Sequence, residues 1–194
     1  MVAAKLHEWT VDEFLAFEAK SDTRHQLIDG QIYDMAGGTS QHSTIKVNTS
    51  ASLHAQMRQR PCRLYDSDIM VRADSIYTYP DISVVCGEAE WLQRNGVDVL
   101  LNPTLIVEVL SPSTEKADRE TKFDSYRSIV DFCQYVLVSQ HKPRIECYTR
   151  DSAGTWAFNV VEGIDAVLEL TAIGCTLALR DVYDKVTFES AQED

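Results

Sequence analysis

The stretch that decides the fold is Pro103-Thr104-Leu105-Ile106-Val107-Glu108-Val109-Leu110-Ser111-Pro112-Ser113-Thr114. Leu105 to Leu110 is an apolar run of strand length. Side chains alternate faces along a strand, so Glu108 shares a face with Ile106 and Leu110. A carboxylate inside such a run is costly unless something pairs with it. A metal ion is one good partner, and that points towards catalysis. From Ser113 or Thr114 the pattern turns helical, to about Ser128 or Ile129.

Upstream, Tyr79-Pro80-Asp81-Ile82-Ser83-Val84-Val85-Cys86 reads as a second strand, Ile82 to Cys86. Asp81 stands at its mouth, behind a proline that cannot donate to a ladder. If the two strands are neighbours, Asp81 and Glu108 converge. Two carboxylates sharing a site repel each other, and a divalent ion removes that conflict. All-oxygen ligation suits Mg²⁺ or Mn²⁺ rather than zinc. Such an ion binds a phosphate oxygen, lowers the pKa of water and stabilises a leaving oxygen.

Downstream, Asp118, Lys122 and Tyr126 are spaced i, i+4, i+8 and share one helix face. If that face looks back at the strand ends, Lys122 reaches the same site. Its ammonium would orient an attacking water or stabilise a pentavalent phosphate. The competing reading is a plain Asp118–Lys122 surface pair, worth about 0.3–0.5 kcal/mol.

The remaining elements fall around these three. Thr10-Val11-Asp12-Glu13 is a capping box, with Trp9 and Phe14 placed as a hydrophobic staple. It opens a helix that buries Phe14, Leu15 and Phe17. Asp29-Gly30 turns a hairpin between Gln26-Leu27-Ile28 and Gln31-Ile32-Tyr33. A long helix spans about Gln41 to Gln59, with His42, Ile45, Thr49, Leu53 and Met57 on one face and Pro61 ending it. Short strands are expected at Arg63 to Tyr65 and Ile69 to Val71. The segment between Gly87 and Asn102 reads as a loop or short helix. Strands follow at Tyr135 to Val138, Ile145 to Thr149, Trp156 to Val161 and Val167 to Leu170, then a short helix around Val182 to Val186. The order predicts a mixed sheet with helices packed on it, an α/β (α+β) domain.

The chain has 194 residues, 44% of them hydrophobic and 25% charged, which suits one domain over residues 1–194 with a core at about 10–188. No apolar run reaches membrane-spanning length, and Met1 to Glu8 lacks the apolar centre of a signal peptide. The expectation is a soluble cytoplasmic protein. The five cysteines (Cys62, Cys86, Cys133, Cys147 and Cys175) form no CxxC pair or zinc spacing. Small buried residues are the expectation for Cys86, Cys133 and Cys147, and a disulfide framework is not expected. The net charge of −12 argues against a broad, non-specific DNA-binding surface. The densest basic stretch, Arg58, Arg60, Arg63 and Arg72, reads as a helix end, where cations are favoured.

Three stretches carry a resemblance: Leu27-Ile28-Asp29-Gly30, Pro80 to Val85, and Pro103 to Thr114. Asp118 with Lys122 and Tyr126 extends it, as does Tyr135-Val136-Leu137-Val138. From about Thr10 to Phe188 the chain resembles the Uma2 family, within the PD-(D/E)XK nuclease superfamily. The resemblance implies a restriction-endonuclease-like fold, a mixed central sheet flanked by helices, and Mg²⁺-dependent (or Mn²⁺-dependent) hydrolysis of DNA phosphodiesters. It assigns Asp81 to the PD motif and Glu108 to the acidic position of (D/E)XK. The usual lysine position is Leu110 here, and Lys122 on the following helix takes the role. Asp81, Glu108 and the backbone carbonyl of Val109 become the implied metal ligands. The family usually carries a glutamate where this chain has Gln26. His42 matches a histidine often found at that point and would serve as a proton shuttle, with a solvated histidine at a helix start as an equal alternative. The superfamily's habit implies a homodimer. Two other readings stand beside this one: a catalytically weakened nuclease fold kept as an interaction module, and an unrelated α/β domain in which Glu108 pairs with an arginine or lysine.

Overall fold

In a computed structural model of the chain, residues 7–35 and 37–188 are described. The reading of the N-terminus lies almost wholly outside them. The first elements are helix α1 (Val11–Glu18), strands β1 (His25–Ile28) and β2 (Gln31–Asp34), and helix α2 (Ser40–Met57). Strands β3 (Cys62–Asp66), β4 (Met70–Ala73), β5 (Ile76–Thr78), β6 (Ile82–Cys86), β7 (Trp91–Arg94), β8 (Val97–Leu100) and β9 (Leu105–Leu110) follow. Next come α3 (Glu115–Ala117), a π-helical turn (Asp118–Lys122) and α4 (Phe123–Tyr126). Strands β10 (Gln134–Ser139), β11 (Arg144–Arg150), β12 (Trp156–Glu162), β13 (Val167–Leu170) and β14 (Cys175–Ala178) precede a last helix, α5 (Leu179–Val182).

Among the described residues, one six-stranded sheet runs β12-β11-β10-β9-β6-β3 and carries the carboxylates. β9 pairs parallel with β10 and antiparallel with β6. All six residues of β9 are buried, so both faces of this strand are covered. On one face α2, β13, β14 and α5 pack through Ile45, Leu53, Val107, Val109, Leu168 and Leu179. On the other, Ile106 and Leu110 meet Phe123 and Tyr126 of α4, and residues of β4 and β5. The second six-stranded sheet, β2-β1-β5-β4-β8-β7, lies on that side. It carries α1 through Phe14, Leu15, Leu27 and Tyr77. The α+β class expected from the element order is the class observed.

Local chemistry explains most boundaries. Thr10 caps α1 through its side chain, and the Glu13 carboxylate accepts the Thr10 N–H at 2.9 Å. Asp29 and Gly30 both take positive φ, 48° and 76°, as a two-residue hairpin turn requires. The buried residues of α2 are Ile45, Thr49, Leu53 and Met57, the stripe read from the sequence.

Other expectations need correction. The segment between Gly87 and Asn102 is a β-hairpin, β7–β8, turning at Asn95-Gly96 with φ of 55° and 83°. Its Asn-Gly dipeptide is a strong turn signal that the polar flanks obscured. Strands β5 and β14 are additional, and the last helix ends at Val182 rather than beginning there. Phe17 is 38% exposed, outside the stripe formed by Phe14 and Leu15, and instead packs against Trp9 at 5.4 Å between ring centroids. The cysteines also differ from expectation: Cys62 and Cys86 form a disulfide. They are direct cross-strand partners in the β3–β6 pair, with Cα atoms 4.0 Å apart. Only the strand register brings them together, since 24 positions separate them in sequence. Cys133, Cys147 and Cys175 are free, and the latter two are buried. Among the described residues no helix is long and apolar enough to cross a membrane.

Candidate functional site

The antiparallel pair β6–β9 ends where β6 begins, with Ile82 opposite Val107, while β9 continues to Leu110. Past Ile82 the backbone of β9 has no strand on that side, and Asp81 fills the gap. Its Oδ2 accepts the Val109 N–H at 2.8 Å, so the side chain stands in for a strand partner. In an extended strand the N–H and C=O of one residue point the same way. The Val109 carbonyl therefore faces the Asp81 side as well.

Glu108 meets Asp81 in the same fork. Its Oε2 accepts the Asp81 N–H at 3.2 Å. Covalent geometry then holds the two carboxylates within about 7 Å of each other. Asp81 Oδ1 has no hydrogen-bond partner among the described residues. The local donor set is thus hard oxygen: two carboxylates and one carbonyl, a set that fits Mg²⁺ or Mn²⁺ better than a thiophilic metal. Among the described residues no cluster of three or more His, Cys, Asp or Glu side chains has metal-holding geometry.

The helical segment after β9 supplies the cation. Lys122 Nζ lies 3.0 Å from Glu108 Oε1 and 2.7 Å from Asp118 Oδ1. Asp118, Lys122 and Glu108 are 1%, 5% and 3% exposed, so this is a buried ionic cluster rather than a surface pair. Tyr126 donates to Glu108 Oε1 at 3.3 Å and shares a 2.8 Å hydrogen bond with the Thr78 hydroxyl. Tyr135 donates to the Asp118 carbonyl at 3.0 Å, anchoring the π-helical turn to β10. That turn is what the i, i+4, i+8 spacing could not reveal; such turns recur at functional sites.

Burial pushes the Glu108 carboxyl up to about 8; Lys122 lowers it, while Asp118 and Asp81 raise it further. Lys122 divides its charge between two carboxylates, so it offsets only part of the desolvation of Glu108. Burial works against the Lys122 ammonium, but Glu108, Tyr126 and Asp118 hold its pKa well above the ordinary lysine value. Tyr126 is also pushed up, by burial first and then by Glu108, so its hydroxyl remains a donor.

From the opposite face of the sheet, α2 brings His42, whose Nε2 lies 3.2 Å from Asp81 Oδ2. Its hydrogen bond to Asp81 raises its pKa, against a lowering by burial. His42 is thus a neighbour of the site rather than a solvated residue at a helix start. Gly38 allows this packing, because a Cβ there would lie 2.9 Å from His42 Nδ1.

Gln26 makes no side-chain hydrogen bond to this network through its Oε1. It lies on β1, where Leu27 pairs with Tyr77, so the next step of that register puts Gln26 across from Thr78. Its Oε1 is buried and unpartnered. A shell that sequence reading missed lies behind it. Glu18, at the end of α1, accepts from His25 N at 3.1 Å and from the Tyr79 hydroxyl at 2.9 Å. It also pairs with His25 Nδ1 at 2.9 Å. The shell ties α1 and β1 to Tyr79, two residues before Asp81. A glutamate in the last turn of α1, against the helix dipole, was the signal available in the sequence.

The Uma2 family, described as "Putative restriction endonuclease", matches residues 11–180. The uncharacterized protein slr1290 of Synechocystis sp. is 34% identical over 179 residues, covering 91% of this chain and 92% of its own. A second Synechocystis protein, sll1609, is 30% identical over 173 residues, covering 88% and 97%. The crystal structure of "a putative nuclease belonging to DUF820" from Anabaena variabilis shares the fold, with a TM-score of 0.74 at 19% identity over 90% of this chain and 97% of that one. The chain therefore belongs to the Uma2 family and has a restriction-endonuclease-like fold.

Proposed function

We propose that this protein is a metal-dependent endonuclease that hydrolyses DNA phosphodiester bonds. The observation that carries the reading is the fork beyond Ile82. There Asp81, Glu108 and the Val109 carbonyl face one space, and a buried lysine stands directly behind Glu108. Asp81, Glu108 and the Val109 carbonyl would hold Mg²⁺ or Mn²⁺. When bound, such an ion polarises a phosphate oxygen and makes water more acidic.

The chain's own residues do the rest. Asp81 is positioned by the Val109 N–H, which leaves its Oδ1 for a ligand. Glu108 is oriented at both oxygens, by Lys122 and Tyr126 on one and the Asp81 N–H on the other. Lys122 is held cationic by Asp118 and Glu108, ready to stabilise charge building on phosphorus oxygens. His42, protonated more readily than a free histidine, is placed to pass a proton at Asp81. Asp118 and Tyr126 act by positioning Lys122 and Glu108. A single-domain, cytoplasmic, dimeric nuclease completes the reading.

The second reading is a weakened nuclease fold used as an interaction module. Gln26, uncharged with an unpartnered buried oxygen, favours it. The test is plasmid nicking with Mg²⁺ or Mn²⁺ by wild type, Asp81→Ala, Glu108→Ala and Lys122→Ala. Nicking by wild type that each substitution abolishes supports the nuclease; equal rates in all four sink it.

A further inference from the structure

A second lysine lies at the mouth of the fork, and neither the spacing of charges nor the buried cluster includes it. Lys46 is on α2, one turn beyond His42, and is half-buried. Its Nζ lies 3.0 Å from the Ser67 hydroxyl. Ser67 begins the turn after β3. Asp66 pairs with Ile82 across the β3–β6 ladder, so the next step along the chain brings Ser67 alongside Asp81. Lys46 is therefore held at the rim beside Asp81, across from Lys122.

The charges around it single it out. Arg24 reaches the same turn, donating to the Ser67 carbonyl at 3.0 Å, but is committed to Asp68 at 2.6 Å. Asp66 lines the groove between α2 and β3 together with Lys46, Ser50, His54 and Leu64, and its Oδ1 accepts the Asp68 N–H at 3.0 Å. Lys46 is near enough to His42 to oppose its protonation. Yet it pairs with no carboxylate among the described residues, in a chain of net charge −12. A lysine tethered by a neutral hydroxyl keeps its full charge for an incoming anion.

We propose that Lys46 contacts a phosphate of the substrate strand next to the one cleaved, and that the strand enters along the α2–β3 groove. The proposal rests on the nuclease reading above. It adds a binding residue that lowers KM without entering the chemical step. It also accounts for DNA binding by an acidic chain, because one or two placed cations replace a broad basic surface.

The test is the salt dependence of binding to a labelled duplex in Ca²⁺, read by fluorescence anisotropy, alongside nicking kinetics in Mg²⁺. For one lost phosphate contact, Lys46→Met should make the slope of log K against log[NaCl] shallower by about 0.7–0.9. KM should rise about fivefold with kcat within about twofold. Lys46→Arg should restore the slope, which shows that charge rather than folding is responsible. Lys142→Met, which removes an exposed cation paired with Glu162, should leave both readouts unchanged. Wild type that binds and nicks DNA while Lys46→Met keeps its slope and KM overturns the inference and leaves the nuclease reading standing. Wild type with no affinity for DNA overturns both.

Discussion

Replacing Lys122 with methionine tests the buried cluster directly. The apolar stem is largely kept, so the loss is mainly that of the ammonium. Two carboxyls, Asp118 at 1% and Glu108 at 3% exposure, lose the cation that sits 2.7 and 3.0 Å from them. Removing one partner of a buried ion pair costs about 3–5 kcal/mol, because the remaining charge is uncompensated. The sign of the pH effect follows. Without Lys122 the Glu108 carboxyl binds its proton more tightly, so acid partly relieves the penalty and alkali exposes it. The measurement is urea unfolding in EDTA at pH 6 and pH 9. Lys122→Met should lose about 3–5 kcal/mol at pH 9 and clearly less at pH 6. Lys142→Met, at an exposed pair, should stay within about 0.5 kcal/mol of wild type at both. A Lys122→Met loss under about 1 kcal/mol at pH 9 would refute the cluster. A loss of equal size at both pH values would point to lost packing instead of lost charge.

Glu108 itself has its pKa raised to about 8, so the stability tied to its proton is present in acid and is lost as pH rises through 8. Metal-free wild type should therefore weaken between about pH 5 and 8, by at most about 1.4 kcal/mol per pH unit, and level off above that, while Glu108→Gln stays flat; thermal melts in EDTA measure both. Gln26→Glu should raise Mg²⁺ affinity and lower metal-free stability, read by calorimetric titration and melting; unchanged affinity would place residue 26 outside the site. Reduction of the Cys62–Cys86 bond, which spans 24 positions, should lower unfolding free energy by roughly 3 kcal/mol, seen as a shift of the urea midpoint with dithiothreitol. A midpoint that does not move would show the bridge to be neutral.

The sequence made the local elements legible where one residue type has one physical job. Thr10 with Glu13 named a cap, Asp29-Gly30 named a turn, and the spacing of Ile45, Thr49, Leu53 and Met57 named a buried face. The neighbourhood of Asp81 and Glu108 was conditional on strand pairing, and β6 and β9 are adjacent. Long-range register was out of reach. The Cys62–Cys86 pairing, the placement of Ser67 beside Asp81 and the shell around Glu18 all depend on which strands lie together. Periodicity does not encode that. The π-helical turn was hidden for another reason: the residues from Asp118 to Tyr126 fit an α-helical spacing equally well.

That turn has a consequence for how the chain tolerates insertions and deletions. An α-helix advances about 100° per residue, so the extra residue of a π-turn sets the angular phase between what precedes and follows it. Deleting exposed Glu120 or Thr121 would let the helix return to ordinary hydrogen bonding. Asp118 would then stand three residues before Lys122 and seven before Tyr126, spacings that stay on one face of an ordinary α-helix. Substitutions at these two positions touch only solvent, and a one-residue deletion there keeps the anion on the lysine's face. The same surface stretch is thus permissive in composition and can give up one residue of length.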